Sequence, residues 1–169
     1  TASLMVLIPP VHGTAFPLKS LPNIFWLQAV LAWLIAMPLY PALTGPWPLG
    51  LLDYAGVALV LTGIACETIA DVQLARFKAR PENEGRVLDT GLWRYSRHPN
   101  YFGDFCVWWG LYLIAASAGG WWTFFSPVLM SVLLMRVSGV TLLEKDIGER
   151  RPAYADYIRR TSAFFPRPP

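Results

Sequence analysis

The sequence predicts an all-α fold, a polytopic bundle of transmembrane helices with about four spans. Of the 169 residues 54% are hydrophobic and only 15% charged, and mean hydropathy is positive at +0.39, a balance foreign to soluble globular domains. Four apolar stretches, residues 23–43, 51–75, 100–117 and 121–143, approach the roughly 20 residues a helix needs to cross the hydrocarbon core. The basic residues gather between the second and third stretches and after the fourth, as they do on the cytoplasmic side of membrane proteins.

Residues 1–22 hold Pro9, Pro10, Pro17 and Pro22 and read as irregular or interfacial chain. The chain begins Thr-Ala-Ser with neither an initiator methionine nor a signal-peptide pattern, so a fragment of a larger protein is expected. In the first apolar stretch Pro38 and Pro41 should kink or end the helix. Uncharged residues 44–50, with Trp47 at the interface, lead into the second stretch. The loop 76–99 carries Arg76, Lys78, Arg80, Arg86, Arg94 and Arg97. The third and fourth stretches are joined by Ala118, Gly119 and Gly120, and Pro127 should kink or end the fourth. The tail, 144–169, holds Lys145, Arg150, Arg151, Arg159, Arg160 and Arg167. Loop and tail are therefore expected in the cytoplasm, and two hairpins return each to the same side.

The net charge of +3 is clustered at these two places, so the expected partners are membrane lipids and not nucleic acid. Cys66 and Cys106 lie in apolar runs without a neighbouring ligand residue, which makes them small core residues and leaves no metal site. There is no Gly-rich dinucleotide fingerprint, phosphate loop or nucleophile elbow.

Charge inside apolar stretches is costly unless it meets a partner, a cavity or a ligand. Glu67 and Asp71 are one turn apart on one helix face, where they serve either a ligand or a pairing with Arg136 that pins the bundle. Arg136 itself has two readings, a fork for phosphate or a counter-ion to Glu67 or Asp104. Residues 91–104, Gly-Leu-Trp-Arg-Tyr-Ser-Arg-His-Pro-Asn-Tyr-Phe-Gly-Asp, form a polar and aromatic block at the mouth of the bundle. Arg94 and Arg97 there suit lipid headgroups or cofactor phosphates equally. His98 precedes Pro99 and is held out of helix, free to meet a phosphate or act as an acid. Tyr95 and Tyr101 suit an interfacial belt, whereas Asp104, one turn into the third stretch, demands a partner.

The combination of Glu67, Asp71 and Gln73, the block 91–104, Glu144, and Tyr154 with Tyr157 resembles the carboxyl-terminal region of steroid 5α-reductases and their uncharacterised bacterial relatives, from about Leu51 to the end. The Arg97-His98-Pro99-Asn100-Tyr101 core is shared with isoprenylcysteine and phospholipid methyltransferases and with sterol reductases; the longer string favours the reductase branch. The resemblance implies the last four of about seven spans in a bacterial inner membrane, with NADPH held from the cytoplasmic side. By position, Asp71, Arg86, Tyr95, Asn100, Tyr101 and Asp104 fall where the reductases contact NADPH, Lys78 on a basic position, and Arg136 on their arginine in the last long helix. Glu67 stands where those enzymes have asparagine, and Asp104 where they have glutamate. Their substrate-polarising glutamate and tyrosine come from the amino-terminal half and have no counterpart here.

The implied reaction is hydride transfer from NADPH to the β-carbon of a conjugated, steroid-like ketone, with protonation at the α-carbon. The competing enzyme reading is an S-adenosylmethionine-dependent methyltransferase, with Arg97, His98, Asn100 and Glu144 lining the site. Phosphate charges suit the basic set Lys78, Arg86, Arg94, Arg97 and Arg136 better than a sulfonium cofactor does. A non-enzymatic lipid-binding protein is the third reading.

Overall fold

The computed structural model describes residues 25–45, 49–137 and 152–168, and every named element among them is helical. The first apolar stretch folds as two pieces, α1 (Leu27–Ala36) and α2 (Leu39–Thr44). The division falls at Met37 and Pro38, where proline has no amide hydrogen to donate and its ring crowds the preceding turn. Pro38 and Pro41 are both buried, so the break is packed inside the molecule.

The second stretch is α3 (Leu51–Lys78), whose 28 residues extend about 42 Å. Its first turn is fixed by Asp53, which accepts a hydrogen bond from the Gly50 amide at 2.7 Å. A carboxylate there suits the positive end of the helix dipole, as Arg76 and Lys78 in the last turn suit the negative end. Among the described residues this is the one helix long and apolar enough to cross a membrane; Leu27–Ala36 and Trp121–Val137 are shorter apolar helices. Its outward side is apolar and bare, with Leu51 85% and Leu61 61% exposed, a surface that water alone does not favour.

The third stretch is α4 (Pro99–Ser117), with Pro99 at the first helical position, where its missing amide hydrogen would have no partner anyway. α3 and α4 run antiparallel with their backbones almost touching. Gly56, Gly63 and Ala70 recur every seven residues on one, Gly103, Gly110 and Ser117 on the other, and each glycine is buried. A Cβ added to Gly110 would lie 2.7 Å from the Gly56 carbonyl oxygen, and one on Gly103 would lie 2.6 Å from that of Gly63. Small residues are what permit such an approach when both surfaces are apolar.

Polar bonds close the seam at both ends. Ser117 Oγ donates to Asp53 at 2.5 Å, and Asn100 Nδ2 donates to Asp71 at 3.1 Å.

The fourth stretch is described as far as residue 137: a 3₁₀ turn (Trp121–Phe124), α5 (Phe125–Val132) and a π turn (Leu133–Val137). Pro127, expected to kink or end this helix, instead lies in the first turn of α5, where its lacking amide hydrogen breaks no bond. The Ser126 hydroxyl donates to Ile35 of α1 at 2.6 Å, and the Trp109 indole of α4 donates to Ser131 at 3.1 Å. α6 (Pro152–Arg160) and the residues after it fold back on the polar block. A parallel bridge pairs Ser96 with Ser162.

Candidate functional site

Two features flank the carboxyl-terminal end of α3, and one helical face joins them. Glu67, Asp71, Leu74 and Lys78 follow one another at intervals of four, three and four residues, which stacks them along one side of the helix.

The first feature is a carboxylate-rich seam. Glu67 is half-buried where α4 passes, the ideal Cβ of Gly103 falling 2.6 Å from the Glu67 amide nitrogen. Asp71 accepts the Asn100 amide. The charges of Asp71 and Asp104 bear on both Glu67 and Tyr101, so five expected residues, Glu67, Asp71, Asn100, Tyr101 and Asp104, share one neighbourhood. His98 is buried and stacks on Tyr101, ring centroids 5.6 Å apart and planes inclined by 8°. Acceptor-rich groups of this kind are suited to hydroxyl and amide donors of a ligand.

The second feature is a cleft of about 410 Å³ between the end of α3, the loop behind it and α6. Lys78, Arg80 and Arg86 outnumber the one carboxylate in its lining, Glu84, and Phe77, Trp93 and Tyr157 form its aromatic floor. None of the three cations forms an ion pair among the described residues. A phosphate next to a flat apolar group matches such a lining.

The remaining expected residues are spread more widely. Tyr95 is exposed, and its carbonyl accepts the Arg167 amide at 3.0 Å. Arg97 is buried, outside the cleft lining, and donates from Nη1 to the Ile158 carbonyl at 3.1 Å and to that of Thr161. Arg136 is exposed at the end of the π turn and bonds to neither Glu67 nor Asp104, so it is not their counter-ion. Glu144 lies outside the described residues. Cys106 is buried and Cys66 half-buried, both as free thiols, with Cys66 Sγ donating to the Pro99 carbonyl at 3.4 Å.

Three residues carry more of the architecture than their types announced. Gln73 accepts the Leu92 amide at 3.0 Å and sits beneath Gly91, which adopts φ +63°. Trp93 is buried and donates its indole N–H to the Ala70 carbonyl at 3.1 Å. Tyr157 is buried and donates its hydroxyl to the Trp93 carbonyl. Gly91 was the available signal for the first, since a glycine opening a polar block marks a turn with positive φ. The two aromatic contacts join distant segments and have no local signature.

A family model described as a protein of unknown function, DUF1295, matches residues 11–161. An uncharacterised protein of Schizosaccharomyces pombe is 28% identical over 168 residues, an alignment covering 83% of this chain and 47% of that protein. The chain thus spans about half the length of the curated relative it matches. No solved structure matches it.

Proposed function

The chain belongs to the DUF1295 family, and from that premise we propose that it forms the cofactor-holding part of a membrane-embedded reductase, which uses NADPH to reduce a conjugated C=C bond in a steroid-like or other lipophilic enone. The family is associated with steroid 5α-reductase-like proteins. The observation that carries the reading is the polarity gradient along one face of α3, from Glu67 and Asp71 at the seam to Lys78 at the basic cleft. An elongated molecule with phosphates at one end and amide and hydroxyl donors at the other has that same gradient.

The donor set fits. Lys78 and Arg86, with Arg80, would hold phosphate by charge-assisted bonds, while Trp93 and Tyr157 offer flat apolar surface to a base. Asp71 would accept a hydroxyl or carboxamide donor, its carboxylate oriented by Asn100. Tyr101 and Asp104 border the same space, and His98 backs Tyr101 by stacking. When bound, NADPH supplies the hydride for the β-carbon of the enone. The chain's part is to bind, orient and screen from water. The residues that polarise the enone carbonyl would come from sequence upstream, as the 5α-reductase resemblance implies.

We also read the chain as multi-pass, with four spans in a bacterial inner membrane, and loop 76–99 and the tail on the cytoplasmic side. The long apolar α3, the shorter apolar helices beside it and the cations clustered at one end support this.

The test is consumption of NADPH by the detergent-solubilised full-length protein, upstream sequence included, with a flat, lipid-soluble enone. The reading requires loss of the conjugated chromophore in step with NADPH. Methyl transfer from S-adenosylmethionine to an isoprenoid thiol or phospholipid, with NADPH untouched, would replace it with the methyltransferase reading. Headgroup binding without either reaction would leave the lipid-binding protein.

A further inference from the structure

The buried guanidinium of Arg97 faces the end of a helix. Its Nη1 donates to the carbonyls of Ile158 and Thr161, in and just after the last turn of α6. Those carbonyls have no partner within the helix and carry the negative end of its dipole, which offsets part of the cost of burying a cation that is only 8% exposed. The backbone around Arg97 grips the same segment. The Arg97 amide donates to Ser162 at 2.8 Å, the Ser96 hydroxyl to Phe164 at 2.8 Å, and the Arg167 amide returns a bond to Tyr95 at 3.0 Å. Phe164 then packs edge-on against Phe102 and Phe105 of α4, at 6.1 and 5.7 Å between ring centroids.

The segment so held is also a wall of the cleft. Tyr154 and Tyr157 of α6 both line it, opposite Lys78 and Arg86. Beyond Arg97, the ties of α6 across the cleft among the described residues include the Tyr157 hydroxyl on the Trp93 and Ser96 carbonyls and an exposed ion pair, Arg160 with Asp89 at 2.6 Å, and exposed pairs are weak.

We propose that Arg97 is a positioning residue: it binds no ligand itself, but capping the carboxyl end of α6 holds Tyr154 and Tyr157 against the cleft and so sets its affinity for an anionic ligand. The ligand named in the test rests on the NADPH reading above; the capping role does not.

The experiment uses the full chain in detergent and two readouts, hydrogen exchange of amides 157–167 and equilibrium binding of NADPH. Arg97→Ala should speed exchange there and weaken NADPH binding roughly tenfold, the scale of a lost charged hydrogen bond. Tethering α6 independently, with Asp89→Cys and Arg160→Cys joined by a short bis-maleimide, should restore both in the Arg97→Ala background. Tyr157→Phe, a milder loosening of the same wall, gives a smaller change in the same direction and serves if Arg97→Ala does not fold. Unchanged exchange in Arg97→Ala overturns the proposal. So does NADPH binding that stays weak after tethering, which would make Arg97 a direct ligand group. Should the unmodified protein bind no NADPH, the cofactor reading fails, while the exchange readout still decides whether Arg97 caps α6.

Discussion

Asn100 and Asp71, 29 residues apart in sequence, meet across the α3–α4 seam through one hydrogen bond of 3.1 Å from amide to carboxylate. The bond is exposed, so it adds little to stability, yet it orients a carboxylate at the centre of the candidate site. Asn100→Ala should therefore lower unfolding stability by less than about 1 kcal/mol while weakening NADPH binding by roughly tenfold or more. Parallel thermal melts and binding titrations separate the two. Equal losses in both would make Asn100 a structural residue.

The glycine seam makes an opposite prediction. A side chain at Gly103 meets the Glu67 amide nitrogen and the Gly63 carbonyl oxygen, both 2.6 Å from its Cβ, and backbone cannot give way as a side chain tip can. Gly103→Val should cost about 3 kcal/mol or more, at the upper end of overpacking penalties. Ala58→Leu, on the exposed side of the same helix, should stay within about 0.5 kcal/mol. Reversible unfolding followed by circular dichroism checks the pair.

Asp53 closes the far end of the seam, accepting from both Gly50 and Ser117. Asp53→Ala should destabilise by about 0.5–2 kcal/mol, the range for a lost helix cap. Ser117→Ala should cost less, and the double variant less than the sum of the two, since both remove one shared bond. Additive losses would contradict the shared bond.

How much of this was legible follows from the range of each signal. The helices, the break at Pro38 and the shared face of Glu67 and Asp71 are local consequences of hydropathy, proline geometry and helical spacing, and the sequence carries all three. Pro127 misled because a proline's effect depends on its place in the helix, and a 3₁₀ turn moved the start of α5 next to it. Arg97 suits lipid headgroups or cofactor phosphates by its type, and nothing near it in sequence marks the carbonyls it caps, about 60 residues on. The glycine register has no sequence signal of its own, since the close approach exists only in the pairing of the two helices. Charge alone allows Arg136 either a phosphate or a pairing with Glu67 or Asp104, and charge says nothing about distance.

The proposed topology puts the turn at Trp121 and the loop at Glu82 on opposite sides of the bilayer, since they lie beyond opposite ends of α4 and α3. With a membrane-impermeant maleimide, Glu82→Cys should label only from the cytoplasmic side and Trp121→Cys only from the other; both positions are exposed. Labelling of both from one side would rule out a crossing by this hairpin.

The most direct measurement is equilibrium binding of NADPH and of S-adenosylmethionine, side by side, to the detergent-solubilised protein and its Asn100→Ala variant. The account predicts saturable NADPH binding that Asn100→Ala greatly weakens, with no competition from S-adenosylmethionine. Saturable S-adenosylmethionine binding without NADPH binding would contradict it.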